Sequence, residues 1–102
     1  MSANEVTVLI QMQLLPESIQ QGKDDLLALA NEVRRVEPEC LAIEFAQQID
    51  DPTRIVMIEK WVSREAYQGP HMESTHMQAF IESSARYFVG PPDISFWHGS
   101  AI

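Results

Sequence analysis

Hydrophobic and polar side chains alternate in four segments of the chain, and between these segments apolar residues recur every three or four positions. Residues 6–15 are rich in β-branched and long apolar side chains and stop at Pro16, so they predict a strand. Residues 18–36 predict an amphipathic helix, which Pro38 stops and Gly22 weakens near its start. The apolar positions of this helix are Leu26, Leu29, Ala30, Val33 and Val36.

A hairpin is predicted after the first helix. Leu41, Ile43 and Phe45 alternate with their neighbours, and residues 55–61 form the next apolar run. Pro52 lies in the polar segment between the two runs and favours a type I turn. The two runs are therefore expected to pair as antiparallel strands.

The next part of the chain predicts helical structure again. Ser63 can cap a short helical turn that reaches Tyr67 and breaks at the Gly-Pro pair of residues 69–70. Residues 74–88 then predict a second long helix, which ends at the Gly-Pro-Pro sequence of residues 90–92. Its inward positions are predicted to be Met77, Phe80, Ile81 and Ser84.

A last alternating segment, residues 94–98, completes the order β-α-β-β-α-β. This order predicts an α+β, ferredoxin-like fold of the split-βαβ type, with an antiparallel sheet and both helices on one face. Leu9 and Ile58 fall on the face opposite to the main apolar series, so both faces of the sheet are apolar. Since the helices cover one face, we expect a second copy to cover the other, giving a homodimer whose facing sheets enclose a barrel.

Composition limits the possible partners. A chain of 102 residues predicts one domain over residues 1–102. With 15 acidic and 7 basic residues its net charge is −8, so phosphate backbones would repel it and nucleic acid is not an expected partner. Cys40 is the only cysteine, so no intrachain disulfide can form. Without a basic leader or an apolar run that could span a bilayer, the chain is expected to be cytoplasmic and without a membrane partner.

Candidate chemistry is concentrated between the third strand and the second long helix. Trp61 ends that strand, Tyr67 follows it, and His71 and His76 come next. These residues could place an aromatic wall beside two imidazoles that titrate near neutral pH, as in a small-molecule pocket. The alternatives are that both aromatic rings are core residues and that both histidines are exposed on the surface.

The sequence predicts neither a metal site nor a bound cofactor. His71, Glu73 and His76 are close in sequence, but a spacing of i,i+5 places two imidazoles about 140° apart around an ideal helix. No Gly-rich fingerprint follows a strand, which excludes flavin or nicotinamide bound by a Rossmann module. Cys40 lacks a basic neighbour in sequence that would favour a thiolate, so an inert buried thiol is expected.

Several short motifs, taken in order, resemble the antibiotic biosynthesis monooxygenase family of small dimeric α+β barrels over residues 5–99. The motifs are Glu-Pro-x-Cys-Leu at 37–41, Asp-Pro-Thr at 51–53, Glu-x-Trp at 59–61, Ala66, and the series His71, Ser74, His76 and Phe80. The chain departs from the family where Glu39 replaces a usual Gly. It also departs at residues 69–70, which lengthen the segment before His71 and could redirect its imidazole.

The resemblance implies an oxygenase that needs no cofactor. Its substrate would be a small electron-rich aromatic, quinol or enol that lies between sheet and helices and reacts with dioxygen. A neutral histidine would remove a proton from this substrate. His76 is ranked above His71 for this role because it lies in the first turn of the second long helix. The implied substrate-binding residues are Trp61, Tyr67, Phe80, Met57 and Phe45.

Two other functions are alternatives to this one. Haem degradation, known for relatives of the fold, is disfavoured because Gln11 and Gln13 stand where those relatives have Asn and no Trp follows Trp61 until Trp97. A binding or signalling module, or an isomerase-type processor of a small carbonyl metabolite, would use the same cavity without oxygen. The sequence leaves this second alternative open.

Overall fold

One antiparallel sheet of four strands carries the helices on a single face. The computed structural model describes residues 4–101. Its strands run in the spatial order β2-β3-β1-β4, which confirms the α+β, ferredoxin-like prediction. The elements in chain order are β1 (Val6–Gln13), α1 (Ile19–Val36), β2 (Cys40–Gln47), β3 (Arg54–Trp61), α2 (Arg64–Ala66), α3 (Thr75–Ser84) and β4 (Asp93–Trp97).

The inner face of the sheet is built by two central strands. Strand β1 pairs with β3 so that Val6 lies opposite Trp61 and Met12 opposite Ile55. Alternate residues of a strand point to the same side, so both strands present their buried residues to the helices. The buried inward residues are Val6, Val8, Met12 and Leu14 from the first strand and its end, and Ile55, Met57, Glu59 and Trp61 from the third.

Helix α1 packs Leu26 and Val33 into this core and ends at Glu37. The backbone N–H of Glu37 donates to the Val33 carbonyl over 2.8 Å, and the Glu37 carbonyl accepts from the Cys40 N–H over 3.1 Å. The Arg34 guanidinium also donates to the Cys40 carbonyl. These bonds hold the end of α1 against the start of β2, and the backbone of Glu37 is fixed between them.

The second long helix is shorter than predicted. Helix α3 ends at Ser84, so the prediction of helix to residue 88 was wrong for its last turn. There the backbone pairs with the end of β1 instead: the Leu15 N–H donates to the Tyr87 carbonyl over 2.9 Å, and the Val89 N–H donates to the Gln13 carbonyl over 2.8 Å. Gly90 then turns the chain with φ of 72°, a conformation that glycine adopts without strain.

The segment around Gly69 and Pro70 also differs from its prediction. Ser63 caps α2 as expected, since its hydroxyl accepts the Ala66 N–H over 3.1 Å. The helical turn does not break at Gly69 but continues as a π-helical turn over Tyr67–His71. Pro70, which has no backbone N–H to donate, lies inside this single wide turn. As a result Tyr67 and His71 both reach the interior and are buried.

None of the helices in the part of the chain that the structure describes, residues 4–101, is long and apolar enough to cross a membrane.

Gly22 is required by close packing rather than by backbone conformation. A Cβ at this position would clash with the Leu14 side chain, which is fully buried. We expect Gly22→Ala to lower the free energy of unfolding by about 1–2 kcal/mol, because overpacking outweighs the gain in helix propensity. Urea unfolding with Gln20→Ala as the exposed control in the same helix measures this effect. An unchanged or higher stability of Gly22→Ala would show that Leu14 repacks freely.

Candidate active site

A cavity of about 540 Å³ lies between the inner face of the sheet and the helices. Most of its wall is apolar, with contributions from Ile10, Met12 and Met57 of the sheet and from Leu26, Met77 and Phe80 of the helices. Its ionisable lining groups are Glu59, Tyr67 and His71. A mostly apolar pocket with a few converging polar groups is typical of a small-molecule site.

The three polar groups surround the ring of Trp61. The Trp61 ring centroid lies 4.5 Å from that of His71 and 5.7 Å from that of Tyr67. Its indole Nε1–H donates to Glu59 Oε1 over 2.9 Å. The Tyr67 and His71 rings are 5.0 Å apart. Trp61 has no exposed surface and is not part of the cavity wall, so it holds the three wall residues in place from behind.

The predicted site residues therefore divide into two groups. His71, Tyr67, Phe80 and Met57 line the cavity. Phe45 packs against the core cluster that contains Met57 but does not line the cavity. His76 also lies outside the wall, although it is connected to His71 through a third side chain.

That third side chain is Glu37, at the end of α1. Its Oε2 lies 2.8 Å from His71 Nδ1 and 2.6 Å from His76 Nε2. The two imidazoles thus converge on one carboxylate oxygen, whereas the i,i+5 spacing predicted that they point apart. The prediction was wrong because the residues do not share one helix: His71 ends the π-helical turn and His76 lies in the first turn of α3.

Ser74 links the two histidine segments. Its hydroxyl donates to the His71 carbonyl over 2.7 Å and accepts the Met77 N–H over 3.3 Å, which caps α3. The same oxygen lies 3.1 Å from His76 Nε2. Since the single hydroxyl proton is used on the His71 carbonyl, His76 Nε2 must carry the proton and donate it towards Ser74 and Glu37.

His71 has a buried imidazole whose pKa is lowered. Burial lowers the pKa of its imidazole, and the nearby Glu37 carboxylate opposes this shift only in part. Since a carboxylate can only accept, Nδ1 carries the proton and donates it to Glu37, and the lone pair lies on Nε2. Nε2 makes no hydrogen bond to any of residues 4–101, so it is available to a ligand.

Glu59 is a second ionisable group of the cavity wall with a shifted pKa. The carboxyl is buried within the sheet, and this burial raises its pKa to about 7; the Trp61 hydrogen bond opposes the shift, and the charge of Glu37 adds to it. A carboxyl with such a pKa can gain or lose a proton near neutral pH. Burial and the Glu59 charge also raise the pKa of Tyr67, so its phenol stays protonated and can donate a hydrogen bond.

The sequence pattern predicted no role for Glu37 or Glu59. For Glu59 the sequence did contain an indication. It shares a strand face with Ile55, Met57 and Trp61, and burying an acidic side chain among apolar residues costs free energy, which suggests a functional role. Glu37 carried no such signal, because an acidic residue before a helix-ending proline is ordinary. Cys40, by contrast, is buried as expected, and burial raises the pKa of its thiol to about 11.

Comparisons with known proteins agree with this fold. Residues 5–83 match the family described as antibiotic biosynthesis monooxygenase, so the chain belongs to that family. No curated protein matches the sequence.

Solved structures with the same fold share little sequence. A candidate antibiotic biosynthesis monooxygenase from Nitrosomonas europaea superimposes with a TM-score of 0.86 at 19% identity, covering 97% of this chain and 93% of that one. A conserved protein from Methanosarcina mazei superimposes with a TM-score of 0.83 at 18% identity, covering 95% and 94%. A structure described as an antibiotic biosynthesis monooxygenase has a TM-score of 0.82 at 23% identity, covering 94% and 99%. At these identities the structures establish the fold alone.

Proposed function

We propose that the protein is a cofactor-independent monooxygenase that oxidises a small electron-rich aromatic, quinol or enol in the cavity beside His71. Membership of the antibiotic biosynthesis monooxygenase family supports the class of reaction. The observation that carries the assignment of the site is His71 itself, a buried imidazole on an apolar wall whose Nδ1 is bound to Glu37. This arrangement is suited to removing a proton from a hydroxyl group of the substrate.

The reaction follows from that proton transfer. His71 Nε2 accepts the hydroxyl proton, and the imidazolium is stabilised by the Glu37 carboxylate. The substrate anion is richer in electrons and reduces dioxygen directly. One oxygen atom forms a new bond to substrate carbon and the other leaves as water, with the substrate giving up two hydrogens and four electrons. The apolar wall limits access of water to the reactive intermediate.

His71 replaces His76 as the favoured base in this proposal. His76 lies outside the cavity wall and its Nε2 is a donor, so it cannot take a proton from a bound ligand at that atom. Its contact with Glu37 instead holds the carboxylate in position for His71. Tyr67, Phe80 and Met57 remain the proposed substrate contacts.

A second candidate function is isomerisation of a small carbonyl metabolite. Glu59 favours it, because the cavity then contains two proton carriers, and proton removal at one carbon with return at another needs no oxygen. The two functions are separated by their need for dioxygen.

An oxygen electrode with a panel of quinols, polyphenols and enols tests the proposal. We expect uptake of one dioxygen per product, with water rather than hydrogen peroxide as the second product. Conversion of a substrate under strict exclusion of oxygen would favour the isomerase, and no uptake across the panel would contradict the monooxygenase.

We also propose that the protein is a homodimer joined through the outer face of its sheet. Leu9 lies directly opposite Ile58 on this face. Trp97 shares the face, because it pairs with the outward Thr7, and 54% of its surface is exposed. An apolar face of this kind in a small domain is best covered by a second copy.

Light scattering should give twice the chain mass of 11.6 kDa. Leu9→Glu places a charge in the proposed interface and is expected to yield monomers at micromolar concentration, since an unpaired buried charge is costly. Leu27→Glu is the matched control, because Leu27 is an exposed residue of α1 on the opposite side of the sheet. A monomeric wild-type protein would contradict the barrel.

A further inference from the structure

We infer that Glu37, His71 and His76 form a binding site for one divalent transition-metal ion such as Zn²⁺. One carboxylate and two imidazoles are the ligand set of many catalytic zinc sites, which leave a fourth position to water or substrate. Because His71 also lines the cavity, a metal here would lie at the edge of the substrate space.

The three ligand atoms are already gathered. Glu37 Oε2, His71 Nδ1 and His76 Nε2 all lie within 4.8 Å of one another, and the two nitrogens are 2.8 Å and 2.6 Å from the oxygen. Zinc bonds of about 2.0–2.1 Å at tetrahedral angles separate neighbouring ligand atoms by roughly 3.3 Å. The carboxylate therefore needs to move back by about half an ångström, and the two nitrogens, which lie within 4.8 Å of each other, need to come closer together. Changes of side-chain torsion can provide both movements.

The backbone around these residues is fixed, which favours a defined geometry. Glu37 is held by its main-chain bonds to Val33 and Cys40. Ser74 holds the His71 carbonyl and lies within hydrogen-bonding distance of His76. The ligands come from three separate segments, so binding requires the folded chain, and a metal that binds the folded form alone also stabilises it.

The electrostatic surroundings favour a cation. The His71 and His76 side chains are buried and mostly buried, respectively, so water competes weakly for the site. The chain as a whole carries a net charge of −8. Two neutral imidazoles and one carboxylate leave a bound divalent ion with a net positive charge, which the protein's negative field stabilises.

Metal binding and the base role of His71 exclude each other. An imidazole that binds a metal through Nδ1 carries its proton on Nε2, so the lone pair needed for proton removal is absent. A bound ion would thus inhibit the proposed oxygenase. This consequence rests on the proposed function, whereas binding of the metal does not.

The test measures binding without turnover. Purified protein without an affinity tag is titrated with Zn²⁺ by calorimetry and with Co²⁺ by visible absorption, since four-coordinate Co²⁺ has intense d–d bands. We expect one ion per chain. Glu37→Gln and His76→Gln should each weaken Zn²⁺ binding by about 10²-fold or more, because loss of a ligand costs at least as much as loss of its hydrogen-bonding support.

His98→Gln is the matched control, because His98 is exposed and lies outside the cluster, and it should bind like the wild type. Circular dichroism of each variant verifies that the fold is intact. Absence of saturable binding by the wild type, or equal binding by a folded Glu37→Gln variant, would overturn the metal site. Either result leaves the oxygen-uptake test untouched, so failure of the two proposals can be told apart.

Discussion

Replacing His71 with Gln should lower oxygen consumption at saturating substrate by about 10²-fold or more, the usual contribution of a general base. The Gln amide can still donate a hydrogen bond to Glu37, so the cavity wall keeps its shape while the lone pair of Nε2 is lost. We expect the loss in kcat rather than in KM, because the imidazole acts on the proton in the transition state. Steady-state uptake with any substrate found in the panel measures this effect.

The other two histidines serve as comparisons for this variant. His76→Gln should reduce kcat by a smaller factor, since His76 only positions the Glu37 carboxylate. His98→Gln should leave turnover unchanged, because His98 contacts the Glu5 carbonyl on the surface. A larger loss in His76→Gln than in His71→Gln would restore the ranking made from the sequence. Full activity in both His71→Gln and His76→Gln would mean that the site has no histidine base.

Replacing Glu59 with Gln should stabilise the protein at pH 8 but not at pH 4.5. The wild type must bury a carboxylate charge at alkaline pH, whereas Gln can accept the Trp61 N–H without a charge. The expected gain in unfolding free energy at pH 8 is on the order of 3 kcal/mol, which corresponds to a rise in Tm of about 10 °C or more. Thermal melts of both proteins between pH 4.5 and pH 8 measure it.

The pH dependence of this stability difference follows from the pKa values of Glu59 in the folded and unfolded states. Its pKa is about 7 in the folded protein, whereas an unperturbed Glu in the unfolded chain has a pKa of 4.5. Between these values the folded state binds more protons, so wild-type stability falls as the pH rises. The lowered pKa of His71 acts oppositely, reducing stability as the pH falls below 6.5. Because both proteins contain His71, the difference between them isolates Glu59.

Glu82→Gln, on the exposed surface of α3, is the control for removing a carboxyl group, and it should shift Tm equally at all pH values. If the difference in Tm between the wild type and Glu59→Gln does not depend on pH, burial does not raise the pKa of Glu59.

The Glu59→Gln variant also distinguishes the two candidate functions, because an isomerase that uses two proton carriers would lose turnover in it.

Local patterns in the sequence were sufficient to predict the order of elements and which residues of a strand share a face of the sheet. Period-two alternation placed Val6, Val8, Ile10, Met12 and Leu14 on one side of the first strand, and in the structure all of these except the half-buried Ile10 are buried. Ser63 capped its helical turn where its position predicted, and the ordered motifs identified the family. These features are local, since they depend on the spacing of side chains within one element and on the conformations that single residues prefer.

The tertiary structure alone decided how the candidate site is assembled. Helix α3 stops at Ser84 because the following backbone finds partners on β1, and Tyr67 and His71 face inward because the chain continues through Pro70 in a wide turn. Glu37 meets two histidines that follow it by 34 and 39 positions. No periodic pattern in a sequence predicts such contacts, because they form only when packing of the helices on the sheet brings distant segments together. The cavity, the proposed base and the candidate metal site all depend on that packing.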